Sequence, residues 1–278
     1  MDDHRHRPHH HHHHHHPPHP KPDPPRPDPP YHHHPPHPRP HEAEALRLEY
    51  VTTSVGFDDM LDVSLAANHP HFDTAIIVTS HDDERTQKVA AKHGAICVLS
   101  DLFSKNGRVF NKGAAINDGF SRWQYHGWRA HMDADIIVPD NFRRILFNHT
   151  VLDQSCIYGA DRIDVVGREP LARIGREPQH IYSFLMTPQH RHVISSRYVD
   201  TLRGYVPIGY FQLWHAGKQP REYPYSLGNA AHDDVMFAHQ WPRERRRLLP
   251  TMVLWHLIPE PQNGMGLNWE GRRQPRLK

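Results

Sequence analysis

The sequence has few cysteines and no apolar run of membrane-spanning length. It contains only two cysteines in 278 residues. Cys97 and Cys156 both lie in apolar stretches, so we interpret them as reduced core residues. Because no stretch is long and apolar enough to span a bilayer, and no apolar signal region follows Met1, we expect a soluble, cytoplasmic protein without a transmembrane segment.

The first 41 residues lack apolar side chains almost completely. They hold 16 of the 30 histidines and 14 of the 27 prolines. Such a segment buries too little apolar surface to offset the entropy lost on ordering, so we predict a disordered His/Pro-rich arm over residues 1–41 and a folded domain over 42–278. Imidazoles in such a run bind nickel or zinc regardless of function, so a non-catalytic metal-binding role through the arm remains open.

The predicted domain also lacks a charge excess. Residues 42–278 contain 28 Lys and Arg residues against 27 Asp and Glu residues. This near-neutral balance does not indicate a nucleic-acid partner.

Apolar runs with strand and helix periodicity alternate along the domain. Compact β-branched runs such as "DTAIIVTS" alternate with amphipathic stretches such as "DERTQKVAAKH", with short links between them. This order predicts an α/β fold with a Rossmann-like, mostly parallel sheet flanked by helices. Ligands of such sheets bind beyond the carboxyl ends of the strands.

Two aspartates interrupt the fourth predicted strand, "WRAHMDADIIV". Residues i and i+2 of a strand point to the same face, so Asp133 and Asp135 are expected to converge on one cation. Paired carboxylates completed by diphosphate oxygens suit magnesium or manganese. The alternative for such a motif is an ordinary solvated turn.

Three further features have both a functional and a structural interpretation. Lys112 lies at the start of the helix "NKGAAINDGF", where anions are stabilised, although an exposed first-turn lysine is also common. Asp233 and Asp234 precede an apolar helical run and suit either catalysis or compensation of the helix dipole. His256, inside the apolar run "MVLWHLIP", suits either a metal ligand or a hydrogen-bonded core histidine.

Taken together, these motifs resemble the glycosyltransferases of the GT-A fold, particularly family 2 and the β-1,4-galactosyltransferase group. "FNKGAAINDGF" is similar to that group's Phe-Asn-Arg/Lys-small-x-x-Ile/Leu-Asn-x-Gly-Phe pattern, and "DADIIVP" is similar to its Asp-Val-Asp-Leu-Ile-Pro. The resemblance covers residues 49–139 well and becomes patchy afterwards. It implies a nucleotide-sugar-dependent glycosyltransferase of the hexosyltransferase type, with a UDP-sugar favoured as donor and an unidentified hydroxyl acceptor.

The resemblance also implies a metal site for Mn²⁺ or Mg²⁺. Asp135 would coordinate the cation, Asp133 would contact either the cation or the donor ribose, and His256 would be a third ligand. An imidazole nitrogen suits manganese as well as zinc.

The same resemblance implies roles for the residues around the donor and the acceptor. Asn111 and Lys112 would lie at the donor, with Lys112 near its diphosphate. The stretch "HDD" occupies the place of the family's catalytic aspartate, so Asp234 would be the base of an inverting transfer. A one-residue change of alignment would give Asp233 that role.

The sequence departs from the galactosyltransferase pattern in two places. The Pro-Phe-Arg segment after the first strand is replaced by "VTTSVGFDD", where Thr53 and Ser54 are the candidates for binding the nucleotide. The Trp-Gly-Trp-Gly-Gly acceptor loop is replaced by "YSLGNAA". A nucleotidyltransferase of similar fold is an alternative, but the glycine-rich loop of those enzymes is absent after the first strand.

Overall fold

The computed structural model describes residues 46–107, 110–168, 199–200, 202, 204–217, 221–225, 229–259 and 272–277. The predicted arm, residues 1–41, and any Ni or Zn binding by it lie outside the described residues. None of the helices in the described part of the chain combines the length and the hydrophobicity that a bilayer-spanning segment needs.

Ten strands and five helices make up the described fold, and they alternate through its first half. The strands are β1 (Leu48–Thr53), β2 (Thr74–Thr79), β3 (Ile96–Leu99), β4 (Trp128–Met132), β5 (Ile136–Ile137), β6 (Ile157–Val166), β7 (Val199–Asp200), β8 (Gly204–Tyr205), β9 (Phe211–His215) and β10 (Arg246–Ile258). The helices are α1 (Asp58–Asn68), α2 (Glu84–Lys92), α3 (Lys112–Phe120), α4 (Phe142–Arg144, continued by a π turn, Ile145–His149) and α5 (Ala230–Ala238). Three short 3₁₀ segments cover His69–His71, Leu102–Gly107 and Arg243–Arg245.

Eight strands form one sheet in the order β3-β2-β1-β4-β9-β6-β10-β5, and β7 pairs separately with β8. The four strands from β3 to β4 are parallel, as are β6 and β10. However, β9 runs antiparallel between β4 and β6, and β5 runs antiparallel to β10. The α/β class is therefore confirmed, whereas the expectation of a mostly parallel sheet is wrong.

The helices of the first half pack on the parallel strands. Helix α2 begins where the Asp83 side chain accepts a hydrogen bond from the Thr86 amide, so Asp83 is its N-cap. Helix α3 lies very close to the sheet, because a Cβ on Gly119 would come within 2.5 Å of Val51 Cγ2. Only glycine allows this approach, which holds the last turn of α3 against β1 and β2.

Strand β3 forms one edge of the sheet, and this edge explains one wrong prediction. Cys97 is exposed, as is Leu99 two residues later, because alternate side chains of this edge strand face solvent. Cys156, in contrast, is buried in the core as expected.

The segment 272–277 clamps the start of helix α1. Arg272 donates to both carboxylate oxygens of Asp59 and to the Gly56 carbonyl at 2.8 Å. Leu277 is buried and its amide donates to Asp59 as well. The turn that follows β1 is thereby tied to a part of the chain more than 200 residues away.

Candidate functional site

The two aspartates lie in a turn between β4 and β5, outside the strands themselves. Strand β4 ends at Met132, and the Ile136 amide donates to the Asp133 carbonyl at 3.2 Å. The prediction that Asp133 and Asp135 share one strand face is therefore wrong. Their side chains leave the turn toward different partners.

Asp133 pairs with the first residue of helix α3. The Lys112 ammonium lies 2.7 Å from Asp133 Oδ1 and 3.2 Å from the Asp234 carboxylate. Lys112 is buried, Asp234 is nearly buried, and Asp133 keeps 35% of its side chain exposed. The chain therefore places one cation between two carboxylates that come from the β4–β5 turn and from helix α5.

The protonation of this group follows from its burial and charges. Burial raises the pKa of Asp234 to about 6, and the Lys112 ammonium opposes that rise only in part. For Lys112, burial lowers the pKa, but Asp133 and Asp234 outweigh burial and hold it above the usual lysine value. Lys112 is consequently charged at neutral pH. Asp234, with a pKa of about 6, titrates just below neutral pH.

Asp135 has a different partner, His256 of β10. Asp135 Oδ2 lies 3.3 Å from His256 Nε2, and His256 Nδ1 lies 2.7 Å from Asp164 Oδ1. The pairing of strands explains the contact, because His256 is opposite Asp164 on β6 and opposite Ile136 on β5. The histidine is thus held between two carboxylates, of which Asp164 was not identified from the sequence.

Asp135 keeps one oxygen unused. Its Oδ1 is buried and has no hydrogen-bond partner among the described residues. Burial raises the pKa of Asp135, but the His256 charge outweighs burial and holds it below its usual value. For His256, burial lowers the pKa, but the two carboxylates raise it to about 9.

The arrangement fits an open divalent site better than a closed one. Across the described ranges, no three His, Cys, Asp or Glu side chains are grouped closely enough to enclose a metal ion, so the predicted trio of Asp133, Asp135 and His256 is not assembled. Asp135 and His256 are nevertheless adjacent, and the unused Asp135 oxygen supplies a third donor atom. Magnesium and manganese often take one or two carboxylates and complete their shell with water and phosphate.

The predicted nucleotide-binding residues lie at the ends of two elements. Thr53 ends β1, and the buried Ser54 that follows has an Oγ without a hydrogen-bond partner in the described part of the chain. Asn111 is buried, and its side chain accepts from the Ala114 amide as the cap of α3.

Asp233, the alternative catalytic residue, is fully buried. It lies against the N-terminal turn of α3, since its Oδ2 is 3.3 Å from the position that a Cβ on Gly113 would occupy. Asp234, in contrast, reaches Lys112 and is slightly exposed.

Three residues beside Asp234 were missed by sequence reasoning. Tyr223 donates a hydrogen bond to Asp234 Oδ1, and Gln212 of β9 lies 3.0 Å from the Tyr223 hydroxyl. Gly209 touches the Asp234 carboxylate so closely that a Cβ there would lie 1.9 Å from Oδ2. The only sequence signal was the polar Gln212 in the apolar run "GYFQLWHAG".

Comparison with known proteins identifies structural neighbours and no family. No family model and no curated protein matches the sequence. Glucosyl-3-phosphoglycerate synthase from Mycobacterium tuberculosis, in complex with Mn²⁺ and UDP-glucose, aligns over 81% of this chain and 75% of its own, with 13% identity and a TM-score of 0.46. Mannosyl-3-phosphoglycerate synthase from Rubrobacter xylanophilus aligns over 61% of this chain and 53% of its own, with 15% identity and a TM-score of 0.37.

These scores are too low to assign a family or an activity. They also give no support for the resemblance to the β-1,4-galactosyltransferase group. The ligands of this chain therefore have to be inferred from its own residues.

Proposed function

We propose that this chain is a metal-dependent glycosyltransferase that moves a sugar from a nucleotide-sugar donor, with a UDP-sugar favoured, to an acceptor hydroxyl. The observation that carries the proposal is the β4–β5 turn, which directs Asp133 to a buried lysine and leaves Asp135 with a histidine and an unused oxygen. The turn follows β4, a member of the parallel group, at the end where ligands of such sheets bind.

In this proposal Asp135 and His256 hold Mn²⁺ or Mg²⁺, and His256 would give up its Nε2 proton when the cation binds. Asp164 accepts from His256 Nδ1 and so directs Nε2 toward the cation, as carboxylates behind metal-bound histidines commonly do. Asp133 lies on the donor side, against the cation or the ribose. When bound, the cation would stabilise the negative charge that develops on the leaving diphosphate.

The donor is bound by residues at the ends of β1 and at the start of α3. Lys112 supplies a fixed positive charge for the diphosphate, because its pKa stays above the usual value. Thr53, Ser54 and Asn111 are the proposed polar contacts of the donor. The unpartnered Ser54 hydroxyl supports this role, since a buried hydroxyl normally has a hydrogen-bond partner.

Asp234 is the proposed base of an inverting transfer. A sugar hydroxyl is a weak acid, so it needs a carboxylate to take its proton as it attacks the anomeric carbon. With a pKa of about 6, Asp234 is ionised at neutral pH and has a higher proton affinity than an exposed carboxylate. Asp233 lies next to it and is the second candidate.

Calorimetric titration of the full chain with UDP and GDP, each with and without Mn²⁺, tests the function. We expect UDP to bind only with the metal, Asp135→Ala to lose that binding, and Asp234→Asn to keep it. All three proteins carry the same histidine-rich arm, so binding of metal by the arm cancels in the comparison. Absence of binding to both nucleotides by the folded chain, or equal metal dependence in Asp135→Ala, contradicts the proposal.

A further inference from the structure

A buried hydrogen-bond group adjoins Asp234. Tyr223 and Gln212 form it together with His131 of β4, which approaches the Tyr223 hydroxyl to 3.5 Å. All three are buried, with Gln212, Tyr223 and His131 each 0% exposed. Burying so many polar atoms costs free energy of folding unless each of them has a hydrogen-bond partner.

The side-chain amide of Gln212 has a fixed orientation. Its nitrogen donates to the backbone carbonyls of Pro207 and Asp234, both at 2.9 Å. An amide nitrogen has two protons, so these two bonds use both of them. Gln212 Oε1 must therefore face the Tyr223 hydroxyl as an acceptor.

The Tyr223 ring is also fixed. It stacks on Phe237 with ring centroids 4.5 Å apart and an interplanar angle of 20°. Its backbone exchanges two hydrogen bonds with the Asn117 side chain, at 2.7 and 2.8 Å. The hydroxyl oxygen is thus held in place, and only its proton is free to turn.

One hydroxyl proton consequently faces two close acceptors, while His131 Nδ1 lies farther away at 3.5 Å. Tyr223 has a single proton to donate, whereas both Asp234 Oδ1 and Gln212 Oε1 lie within hydrogen-bond distance. When Asp234 is ionised, the proton goes to its charged oxygen and Gln212 Oε1 loses this donor. When Asp234 is protonated, it donates to the Tyr223 oxygen, and Tyr223 can donate to Gln212.

We propose that Tyr223 and Gln212 are positioning residues for Asp234 and that the Tyr223 hydroxyl turns from Asp234 to Gln212 when Asp234 takes up a proton. No O–H bond of Tyr223 breaks in this exchange; the proton on Asp234 comes from the acceptor hydroxyl, or from water when no acceptor is bound. The meaning of the exchange for catalysis rests on the proposed function, but the exchange itself does not.

Titratable groups from several elements also act on the pKa of Asp234. The titratable groups around it are Lys112, Asp133, His131, Tyr223 and Asp233. Lys112 favours the ionised carboxylate and Asp133 opposes it. Burial, followed by the Lys112 charge, holds the pKa of His131 well below its usual value, so His131 stays neutral while Asp234 titrates.

The two positioning residues should shift the titration of Asp234 in opposite directions. Tyr223→Phe removes the donor to the carboxylate, so we expect the pKa of Asp234 to rise by about one pH unit. Gln212→Met removes the competing acceptor and leaves the Tyr223 proton on Asp234, so we expect the pKa to fall. A residue that only supports packing has no reason to produce such a pair of shifts.

Carbon-13 NMR of aspartate carboxyl groups in the full chain measures this titration directly, with Asp234→Asn used to assign the signal. Tyr158→Phe is the matched control, because Tyr158 is also buried. Among the described contacts its hydroxyl accepts a hydrogen bond from the Asp153 amide and makes none with Asp234. Opposite shifts in the two variants with no shift in the control support the proposal. Shifts in the same direction, or an unchanged pKa in folded Tyr223→Phe, overturn it. Neither result depends on nucleotide binding, so failure of the exchange and failure of the proposed function are distinguishable.

Discussion

Asp133 and Asp135 are two residues apart, yet they pair with different cations and differ in burial. Asp133 lies 2.7 Å from a buried ammonium that it shares with Asp234. Asp135 meets a histidine with one oxygen and leaves the other without a partner among the described residues. The comparison teaches that an Asp-x-Asp motif is not one unit, since each carboxylate pairs with a different cation of the chain and only Asp135 has a buried oxygen left over for a ligand among the described residues.

Removing the cation on the Asp133 side should have the largest effect on stability. Lys112→Met leaves two carboxylates facing each other without a compensating charge, so we expect the free energy of unfolding to fall by roughly 3 kcal/mol in urea denaturation at pH 7.5. Lys92→Met is the control, because Lys92 makes an ion pair of the same 2.7 Å length with Asp62 but is 61% exposed. The control should lose less than about 1 kcal/mol. Equal losses of unfolding free energy in the two variants would show that burial of Lys112 does not increase the cost of removing its charge.

The pH dependence sharpens this prediction. Asp234 has a folded pKa raised to about 6, so its contribution to stability is fully present below the usual carboxyl pKa and is lost as the pH rises through 6. Without Lys112 its pKa rises further, so the destabilisation by Lys112→Met should be smaller at pH 5 than at pH 7.5. A pH-independent loss would exclude Asp234 as the group that Lys112 compensates.

We expect a smaller loss of stability when a substitution displaces the Asp234 carboxylate from Lys112. Gly209→Ala places a methyl group 1.9 Å from Asp234 Oδ2, and overpacking of this kind costs about 2 kcal/mol. Because the clash is with the carboxylate, the same substitution should cost clearly less in an Asp234→Ala background. Additive losses in this double-mutant cycle, measured by urea unfolding, would place the strain elsewhere.

The smallest expected effect belongs to the Asp135 side. Asp164→Asn replaces the charged acceptor of the His256 Nδ1 hydrogen bond with a neutral one. We expect the affinity for Mn²⁺ in the presence of UDP to fall about tenfold. Titration followed by electron paramagnetic resonance, with UDP present, selects the metal that is coupled to the nucleotide. Asp153→Asn, which changes the same charge beside Arg245, should leave that affinity unchanged. Equal affinities in the wild type and Asp164→Asn would show that His256 needs no partner behind it.

Most elements of the first half were predictable because their signals are local. Strand β2 is a two-sided apolar run, and helix α2 follows a capping aspartate with clear amphipathic spacing. The insertion of β9 between β4 and β6 was not predictable, since no local pattern states which strands pair. Once β9 is inserted, the sheet becomes mixed.

The site was predictable only where motifs mark it. The contacts of Lys112 with Asp133 and of Asp135 with His256 join residues that were already singled out. Tyr223 meets His131 across 92 positions and lies in "REYPYS", which has no periodicity. Asp164 can be recognised as a partner of His256 only once the pairing of β6 with β10 is known.

The balance of charge at the turn has a consequence for the order of ligand entry. Five carboxylates (Asp133, Asp135, Asp164, Asp233 and Asp234) lie in this region with three side-chain cations, Lys112, Arg162 and His256. A nucleoside diphosphate that arrives alone meets a net negative field and is repelled, whereas a divalent cation is attracted. If the proposed function holds, kinetics should show compulsory order, with the metal entering before the donor or together with it.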